Sequence, residues 1–145
     1  MTTPSDLRAL ASDLSLAVVR LTRHLRGRRA DSPVSLTQLS AMSTLSRDGA
    51  LTPGALAARE RVQPPSMTRV IASLVELGLV ERVPHPTDGR QIIVSLSDKG
   101  NVLVSEERSA REAWMTERLA DLDDRQLKVL RDAVSILSNI VEKSE

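Results

Sequence analysis

The sequence predicts a mainly α-helical fold with one small β-hairpin, which belongs to the α+β class. Three observations support this prediction. Most of the 145 residues lie in segments whose apolar side chains recur at helical spacing, whereas the region around residues 79–97 alternates with a period of two. The apolar residues are almost all aliphatic, with one Trp and no Phe or Tyr, and such side chains pack readily as helix on helix.

The first helix is predicted over residues 5–29. Its stripe repeats at heptad spacing and consists of Leu7, Leu10, Leu14, Ala17 and Leu21, widened by Val18 and Leu25. Gly27 and the segment Asp31-Ser32-Pro33 are expected to end it.

Two further helices follow in close succession. One starts at Ser35 and is closed by Asp48-Gly49. Its apolar face consists of Leu36, Leu39, Met42 and Leu45. The other is short and runs from Pro53 to about Glu60, because Thr52-Pro53 combines a capping hydroxyl with a proline at the first helical position. Leu56 and Ala57 are expected to face inward.

A fourth helix opens at Gln63-Pro64-Pro65-Ser66, after a tight turn before Val62, and stops at Gly78. Its predicted apolar face consists of Met67, Val70, Ile71 and Leu74. Its predicted outer face consists of Ser66, Thr68, Arg69, Ser73 and Glu76. The helix is therefore anchored on one side and polar on the other.

The period then changes from helix to strand. Residues 79–83 and 91–96 are short and rich in Val and Ile, and the turn-rich segment 84–90 between them predicts a β-hairpin. A helical region from Ser97 to about Leu119 comes next. The last helix is capped by either Asp121 or Asp123, and its heptad stripe consists of Leu127, Leu130, Val134, Leu137 and Val141.

This order of elements, with a hairpin directly after the second of two close helices, is typical of a winged helix-turn-helix. The major groove of DNA admits one α-helix, whose first turns reach the base edges. Arg69 is the best candidate for a bidentate contact to guanine, and Ser66 and Thr68 are candidates for a base or a phosphate. A plain amphipathic surface helix is the alternative, and the adjacent hairpin disfavours it.

The hairpin loop carries its own candidate residues. Arg90 follows Asp88-Gly89, and we expect the Asp88 carboxylate to pair with the Arg90 guanidinium and hold it along the loop. An arginine in that position suits the narrow, electronegative minor groove. The alternative is that Asp88-Gly89 only forms a tight hairpin turn and has no function in binding. His85 either touches a phosphate or is a solvated loop residue.

Residues 52–100 resemble the MarR family of winged helix-turn-helix regulators, and the flanking helices extend this resemblance over nearly the whole chain. The matching stretches are Leu56-Ala57, Pro65-Ser66-Met67-Thr68-Arg69, Leu77-Gly78-Leu79-Val80-Glu81-Arg82, and Asp88-Gly89-Arg90 through Leu96-Ser97. In the last of these, Ser97 stands where the family pattern has Thr, so a hydroxyl is kept.

The resemblance implies a homodimer that binds palindromic double-stranded DNA. Helices in residues 5–30 and 101–143 would dimerise, and residues 35–97 would form the DNA-binding domain. The implied DNA-binding residues are Gln63, Pro65, Ser66, Thr68, Arg69, Asp88 and Arg90. Many such regulators are repressors that small anionic phenolic compounds or thiol oxidation release, so a small anionic aromatic ligand is an expected partner.

Composition excludes several other classes of protein. The absence of cysteine removes disulfides, thiolate metal sites and thiol redox sensing. Two distant histidines make a poor metal site, and we expect no cofactor. No stretch approaches the roughly 18 apolar residues of a membrane span, and the N-terminus does not resemble a signal peptide, so we expect a cytoplasmic protein.

Charge is distributed unevenly, although the net charge is only +1. Residues 1–30 hold six arginines and two aspartates, whereas residues 101–145 hold seven basic and ten acidic groups. These ends either complement each other or are separately solvated helix faces. The two heptad stripes either pair across a dimer or fill a monomeric core.

Two other functions are compatible with parts of the sequence. A winged helix also serves as a protein-interaction module, but such a scaffold has no need of Arg69 or Arg90. An enzyme would need an activated nucleophile, a metal or a phosphate loop, and the chain offers none of them. Trp114, Met115 and His24 are candidates for lining a ligand pocket. Trp114 could equally be core or dimer packing, and a lone histidine on a helix such as His24 is more often structural.

Overall fold

Six α-helices and one two-stranded sheet form the described part of the chain, which confirms the predicted α+β class. The computed structural model describes residues 1–26 and 32–143. The elements are α1 (Pro4–Arg26), α2 (Leu36–Asp48), α3 (Pro53–Glu60), α4 (Pro64–Glu76), β1 (Val80–Pro84), β2 (Ile92–Leu96), α5 (Asp98–Leu119) and α6 (Asp124–Glu142). The chain divides into two compact units, Met1–Arg108 and Ser109–Glu145. The predicted stop of the first helix at Gly27, and Arg28, Arg29 and Asp31, lie outside the described residues.

Local capping signals set the starts of three helices. The Ser35 and Asp123 side chains each accept a hydrogen bond from the backbone N–H three residues on, which belongs to Gln38 and Gln126, respectively. The glutamine side chain in turn accepts a hydrogen bond from the N–H of the capping residue. The Thr52 hydroxyl accepts the Ala55 N–H at 3.1 Å, with Pro53 at the first helical position. These findings confirm the predicted starts and select Asp123, rather than Asp121, as the cap of α6.

The hydrophobic core lies within the first unit and is almost entirely aliphatic. Each of the helices α2, α3 and α4 contributes to it, and so do both strands and the start of α5. Its largest fully buried side chains are Met42, Leu56, Met67, Ile71, Leu74, Leu79 and Val94. Because three short helices and the hairpin share this one core, their mutual positions are fixed by close packing.

One residue with positive φ lies just before α4, and another lies just after it. Arg61, between α3 and α4, has φ 54° and is the only described residue other than glycine with a positive φ. Its N–H caps the end of α3 at the Ala57 and Ala58 carbonyls. Gly78 follows α4 with φ 71°, where glycine avoids the steric cost of a side chain. The turn before Val62 and the stop at Gly78 are therefore confirmed.

The hairpin pairs β1 with β2 in antiparallel register, from Val80 opposite Leu96 to Pro84 opposite Ile92. Each strand starts one residue later than predicted. A contact that the sequence did not indicate joins this hairpin to the loop between α2 and α3. Leu51 and Val94 exchange two backbone hydrogen bonds, of 3.1 and 2.7 Å. A single bridging residue has no periodic pattern, so only the folded chain reveals it.

The terminal helices α1 and α6 contain apolar side chains that remain exposed. Leu10 in α1 and Val134 in α6 are each 61% exposed, and α6 has no buried residue. Neither side chain belongs to the core described above, and whether the two stripes pair across a dimer or within one chain stays a prediction. None of the helices in residues 1–26 and 32–143 has the length and apolar character that crossing a bilayer requires.

Candidate nucleic-acid interface

Helix α4 has one buried and one exposed face. Met67, Ile71 and Leu74 are buried in the core. Ser66, Thr68 and Arg69 are exposed, and Arg69 takes part in none of the ion pairs formed within residues 1–26 and 32–143. The structure therefore brings the three predicted side chains together on the first two turns of one anchored helix.

The start of α4 offers few backbone donors. Pro64 and Pro65 have no N–H, and the Ser66 N–H donates to the Gln63 carbonyl at 3.0 Å. A helix start normally presents several unpaired N–H groups, which can bind a phosphate. At this helix start, a phosphate would therefore have to be bound mainly by side chains. Gln63 and Pro65 are both exposed, and the Gln63 side chain makes no capping bond.

Thr68 uses its hydroxyl hydrogen within the helix. Its Oγ1 donates to the Pro64 carbonyl at 3.0 Å, one turn earlier. In this arrangement the hydroxyl still accepts a hydrogen bond, and the methyl group is available for an apolar contact. To donate to a phosphate, Thr68 would first have to give up its bond to Pro64.

The hairpin loop places Arg90 in an exposed position beside a tight turn. The Gln91 N–H donates to the Asp88 carbonyl at 3.1 Å, and the His85 N–H donates to the Gln91 carbonyl at 3.0 Å. These two bonds close the loop at its tip and at its base.

The predicted pairing of Asp88 with the Arg90 guanidinium is wrong in the structure. Asp88 Oδ1 instead accepts the backbone N–H of Arg90 at 3.1 Å. No ion pair joins the two side chains among the described residues. A carboxylate readily reaches the N–H two residues on, in an Asx turn. Asp88 therefore shapes the backbone, and the Arg90 guanidinium is left to the solvent or to a partner.

Three side chains hold α4 near its C-terminal end, and the sequence had indicated a role for the hydroxyl of only one of them, Ser97. Gln38 Nε2 donates to Ser73 Oγ at 2.6 Å and links α2 to α4. Ser73, predicted on the outer face, is half-buried as a result. Lys99 Nζ donates to the Leu77 carbonyl at 3.0 Å, and Ser97 Oγ donates to the Gly78 carbonyl at 2.6 Å. The carbonyl groups at the end of α4 are thus satisfied from the start of α5.

Helices α2 and α3 are joined by three polar contacts. Glu60 accepts hydrogen bonds from the Ser40 and Thr44 hydroxyls. Arg59 forms an ion pair with Asp48, which also accepts a hydrogen bond from Arg47 Nε. That hydrogen bond, with the positive charges of Arg47 and Arg59, lowers the pKa of Asp48, although desolvation opposes it. These contacts set how the two helices cross before α4.

The residues predicted for a ligand pocket lie in different units. His24 is exposed on α1, whereas Trp114 and Met115 are half-buried in the second unit. The Arg118 guanidinium lies over the Trp114 ring, 5.1 Å from its centre, in a cation–π contact. The described residues contain no group of His, Cys, Asp and Glu side chains suited to a metal ion.

Comparisons with known proteins identify the family. The MarR family matches residues 34–92. The HTH-type transcriptional regulator Mb0904 of Mycobacterium bovis is 59% identical over 140 residues, which cover 97% of each chain. A MarR family protein from Bacillus stearothermophilus has a similar fold, with a TM-score of 0.86, 20% identity, and 98% and 99% of the two chains covered.

A further solved structure contains a nucleic acid. It is Streptococcus pneumoniae FabT in complex with DNA, with a TM-score of 0.71 and 19% identity, and the match covers 95% of this chain and 96% of FabT. Together with the helix-turn-helix and the hairpin described above, the high identity to the mycobacterial regulator is decisive. The chain therefore belongs to the MarR family, whose members are DNA-binding transcriptional regulators and not enzymes.

Proposed function

We propose that two copies of this chain bind a palindromic operator in double-stranded DNA and thereby regulate transcription. One observation carries the proposal. Exposed side chains on the first turns of α4 lie on a helix whose opposite face is locked in the core, and the same compact unit carries the Arg90 loop. An anchored helix of this kind fits the major groove, which is about 12 Å wide.

In this arrangement the side chains of α4 divide the recognition of bases and backbone. Arg69 donates two hydrogen bonds to a guanine, the commonest specific contact in the major groove. Ser66 and Gln63 bond a base edge or a phosphate. Thr68 and Pro65 make apolar contacts, because the Thr68 hydroxyl hydrogen is already held by Pro64. Thymine methyl groups are the natural partners of such contacts.

The hairpin loop contacts the neighbouring minor groove through Arg90. Its guanidinium is exposed and unpaired within the described residues, so DNA binding breaks no ion pair. The negative potential of a narrow minor groove attracts such a cation. Asp88 contributes indirectly, by its bond to the Arg90 N–H.

We assign dimerisation to residues 5–30 and 101–143 and DNA binding to residues 35–97. The exposed apolar side chains of α1 and α6 support this division, since such surfaces are normally covered by a partner. Two helix-turn-helix units about 34 Å apart reach successive major grooves on one side of the duplex. FabT, a protein with a similar fold, has a solved structure in complex with DNA, and this supports DNA binding by such a fold.

We infer further that the dimer acts as a cytoplasmic repressor and that a small anionic aromatic ligand releases it. The family resemblance supports repression and the ligand class, and the absence of cysteine leaves no thiol for redox release. A panel of hydroxybenzoates, added to the preformed DNA complex, tests this part of the proposal. Dissociation of the complex is the expected result, and the DNA affinity measured without ligand serves as the reference.

Selection of bound duplexes from a random DNA pool tests the whole proposal. We expect a palindrome with half-sites one helical turn apart, and an affinity that falls steeply with salt as phosphate contacts release counterions. The double variant Arg69→Ala/Arg90→Ala, put through the same selection, is the control and should enrich no sequence. Failure of the unaltered protein to enrich any duplex at low ionic strength would refute the proposal.

A further inference from the structure

The loop that carries Arg90 is organised around one histidine ring. His85 Nδ1 lies 3.1 Å from the backbone nitrogen of Asp88 and 3.2 Å from that of Thr87. The Thr87 hydroxyl is close to the same nitrogen, at 3.3 Å. The imidazole therefore folds back over its own loop and collects the backbone groups that follow it.

These contacts define the state of the ring. Backbone N–H groups only donate, so Nδ1 must accept and cannot carry a hydrogen. The tautomer that makes these contacts therefore has its hydrogen on Nε2. The pattern, in which a side chain accepts the N–H groups two and three residues on, is the one that Asn and Asp form in turns with a shorter side chain.

A short series of hydrogen bonds leads from His85 to Arg90. Asp88 donates its N–H to the ring and accepts the Arg90 N–H at Oδ1. It also accepts the Gln91 N–H at its carbonyl. All three polar groups of Asp88 are therefore engaged, and the backbone at Arg90 is fixed through a residue that His85 fixes.

We propose that His85 is a positioning residue, which orders the loop through Asp88 so that Arg90 is presented to the minor groove before DNA arrives. The inference rests on the proposed function of the loop in DNA binding. A flexible loop would have to be ordered on binding, and the cost of that ordering would weaken affinity. A loop already held in its bonded conformation avoids this cost.

Two substitutions separate positioning from simple loss of a ring. His85→Ala removes the acceptor, whereas His85→Asn replaces it with an amide oxygen that reaches the same N–H groups. Ser46→Ala, which truncates an exposed side chain of α2 to which no role is assigned, is the control. The full-length proteins are titrated with a fluorescent duplex of about 30 base pairs that carries the selected palindrome and so spans two half-sites.

We expect His85→Ala to weaken binding about fivefold, His85→Asn to recover most of that loss, and Ser46→Ala to bind like the unaltered protein. In an Arg90→Ala background, His85→Ala should change affinity less than about twofold, because the two residues act through one contact. Nitrogen-15 NMR of the free protein should show a ring with hydrogen on Nε2 alone, and the Thr87 and Asp88 amide signals should shift in His85→Ala but not in Ser46→Ala.

The outcomes separate this inference from the proposed function beneath it. If Arg90→Ala binds the duplex as tightly as the unaltered protein, the loop does not contact DNA. The proposed minor-groove contact of Arg90 and the positioning role of His85 then both fail. If Arg90→Ala weakens binding but His85→Ala is equally damaging with or without Arg90, His85 does not act through Arg90. A ring with hydrogen on Nδ1, or an Asn variant as weak as the Ala variant, would also overturn the positioning role alone.

Discussion

The recognition region, which consists of α2, α3, α4 and the hairpin, differs from the terminal helices α1 and α6 in how far its apolar side chains are buried. Across α2, α3, α4 and the hairpin, the large aliphatic side chains converge on one core, and several are completely buried. In α1 and α6 many side chains of similar size, such as Leu10 and Val134, remain exposed within one chain. The sequences of both regions show equally regular apolar spacing, so periodicity alone does not separate them.

Regular apolar spacing therefore predicts which side of a helix is apolar, but it does not predict which surface covers that side. Together with the start of α5, the recognition region satisfies its carbonyl and N–H groups within one chain, as at Gly78 and Asp88, so we expect it to be ordered without a partner. The terminal helices need a second surface, which we assign to a second copy of the chain. The first region is thus self-sufficient and the second is dependent on a partner, so substitutions in the two regions should have different effects.

The largest effect is expected at Gly100, in the first turn of α5. A Cβ at this position would lie 2.0 Å from the Leu79 carbonyl oxygen and 3.1 Å from the Leu79 carbonyl carbon. Because the obstacle is backbone, no side-chain rotation relieves it. We expect Gly100→Ala to lower the free energy of unfolding by about 3 kcal/mol, the upper range for an overpacked core. Urea denaturation measures the change.

Gly54 provides the matched control, since it also lies in the first turn of a helix, α3. A Cβ there would meet no atom within 4 Å. Gly54→Ala should leave the protein equally stable or up to about 0.5 kcal/mol more stable, because alanine restricts the unfolded chain. Equal losses in the two variants would contradict close packing between Leu79 and α5.

The second effect tests the dependent region. Val134 of α6 is 61% exposed in one chain, so a carboxylate there should cost little unless a partner covers it. We expect Val134→Asp to raise the dimer dissociation constant about thirtyfold, equivalent to about 2 kcal/mol, because the dimer would bury an unpaired charge. Analytical ultracentrifugation over a range of concentrations gives the constant.

Asn139→Asp introduces the same charge on the polar side of α6 and should leave the dimer constant within about twofold, as surface changes usually do. If Val134→Asp and Asn139→Asp behaved alike, the exposed face of α6 would not be the dimer surface. A second copy of the chain would then not explain the exposed apolar side chains of α6, although the proposal for the DNA-binding face of α4 would be unaffected.

A third, smaller effect concerns the binding face of the self-sufficient region. Arg69→Ala should cost about 1.5 kcal/mol per half-site and relax selectivity at one base pair, because a bidentate contact to guanine is lost. Arg90→Ala should weaken binding to every sequence more evenly. Measured affinities for a set of single-base operator variants distinguish the two patterns. Arg111→Ala, which removes an exposed arginine of the second unit, is the control and should retain full selectivity.

Much of the fold could be predicted because its signals are local. The Ser35 and Thr52 caps act on residues three positions away, and the alternating hairpin pattern is visible in a few residues. The links from Gln38 to Ser73 and from Leu51 to Val94 could not be predicted, since they join residues far apart in the chain. Such contacts depend on how the helices pack, which no short pattern encodes.

For the candidate site, the exposed positions could be predicted from the sequence, but the hydrogen-bond partners could not. Helical periodicity was enough to place Ser66, Thr68 and Arg69 on one exposed face. It was not enough to show that Thr68 already donates to Pro64, or that Asp88 binds backbone rather than a guanidinium. Side-chain oxygens close to backbone groups compete for the same hydrogen bonds, and that competition is decided by the exact turn geometry.

The smallest effect concerns Arg61, which joins α3 to α4 with φ 54°, a conformation that costs an L-residue about 1 kcal/mol and that glycine adopts freely. A region that folds without a partner can carry this local strain, so removing it should add stability. We compare Arg61→Gly with Arg61→Ala, since both lack the guanidinium and differ only at Cβ. Urea denaturation should show the glycine variant to be more stable by about 0.5–1 kcal/mol. An alanine variant of equal or greater stability would mean that the turn between α3 and α4 is unstrained, and that the recognition region holds its geometry without opposing any local preference.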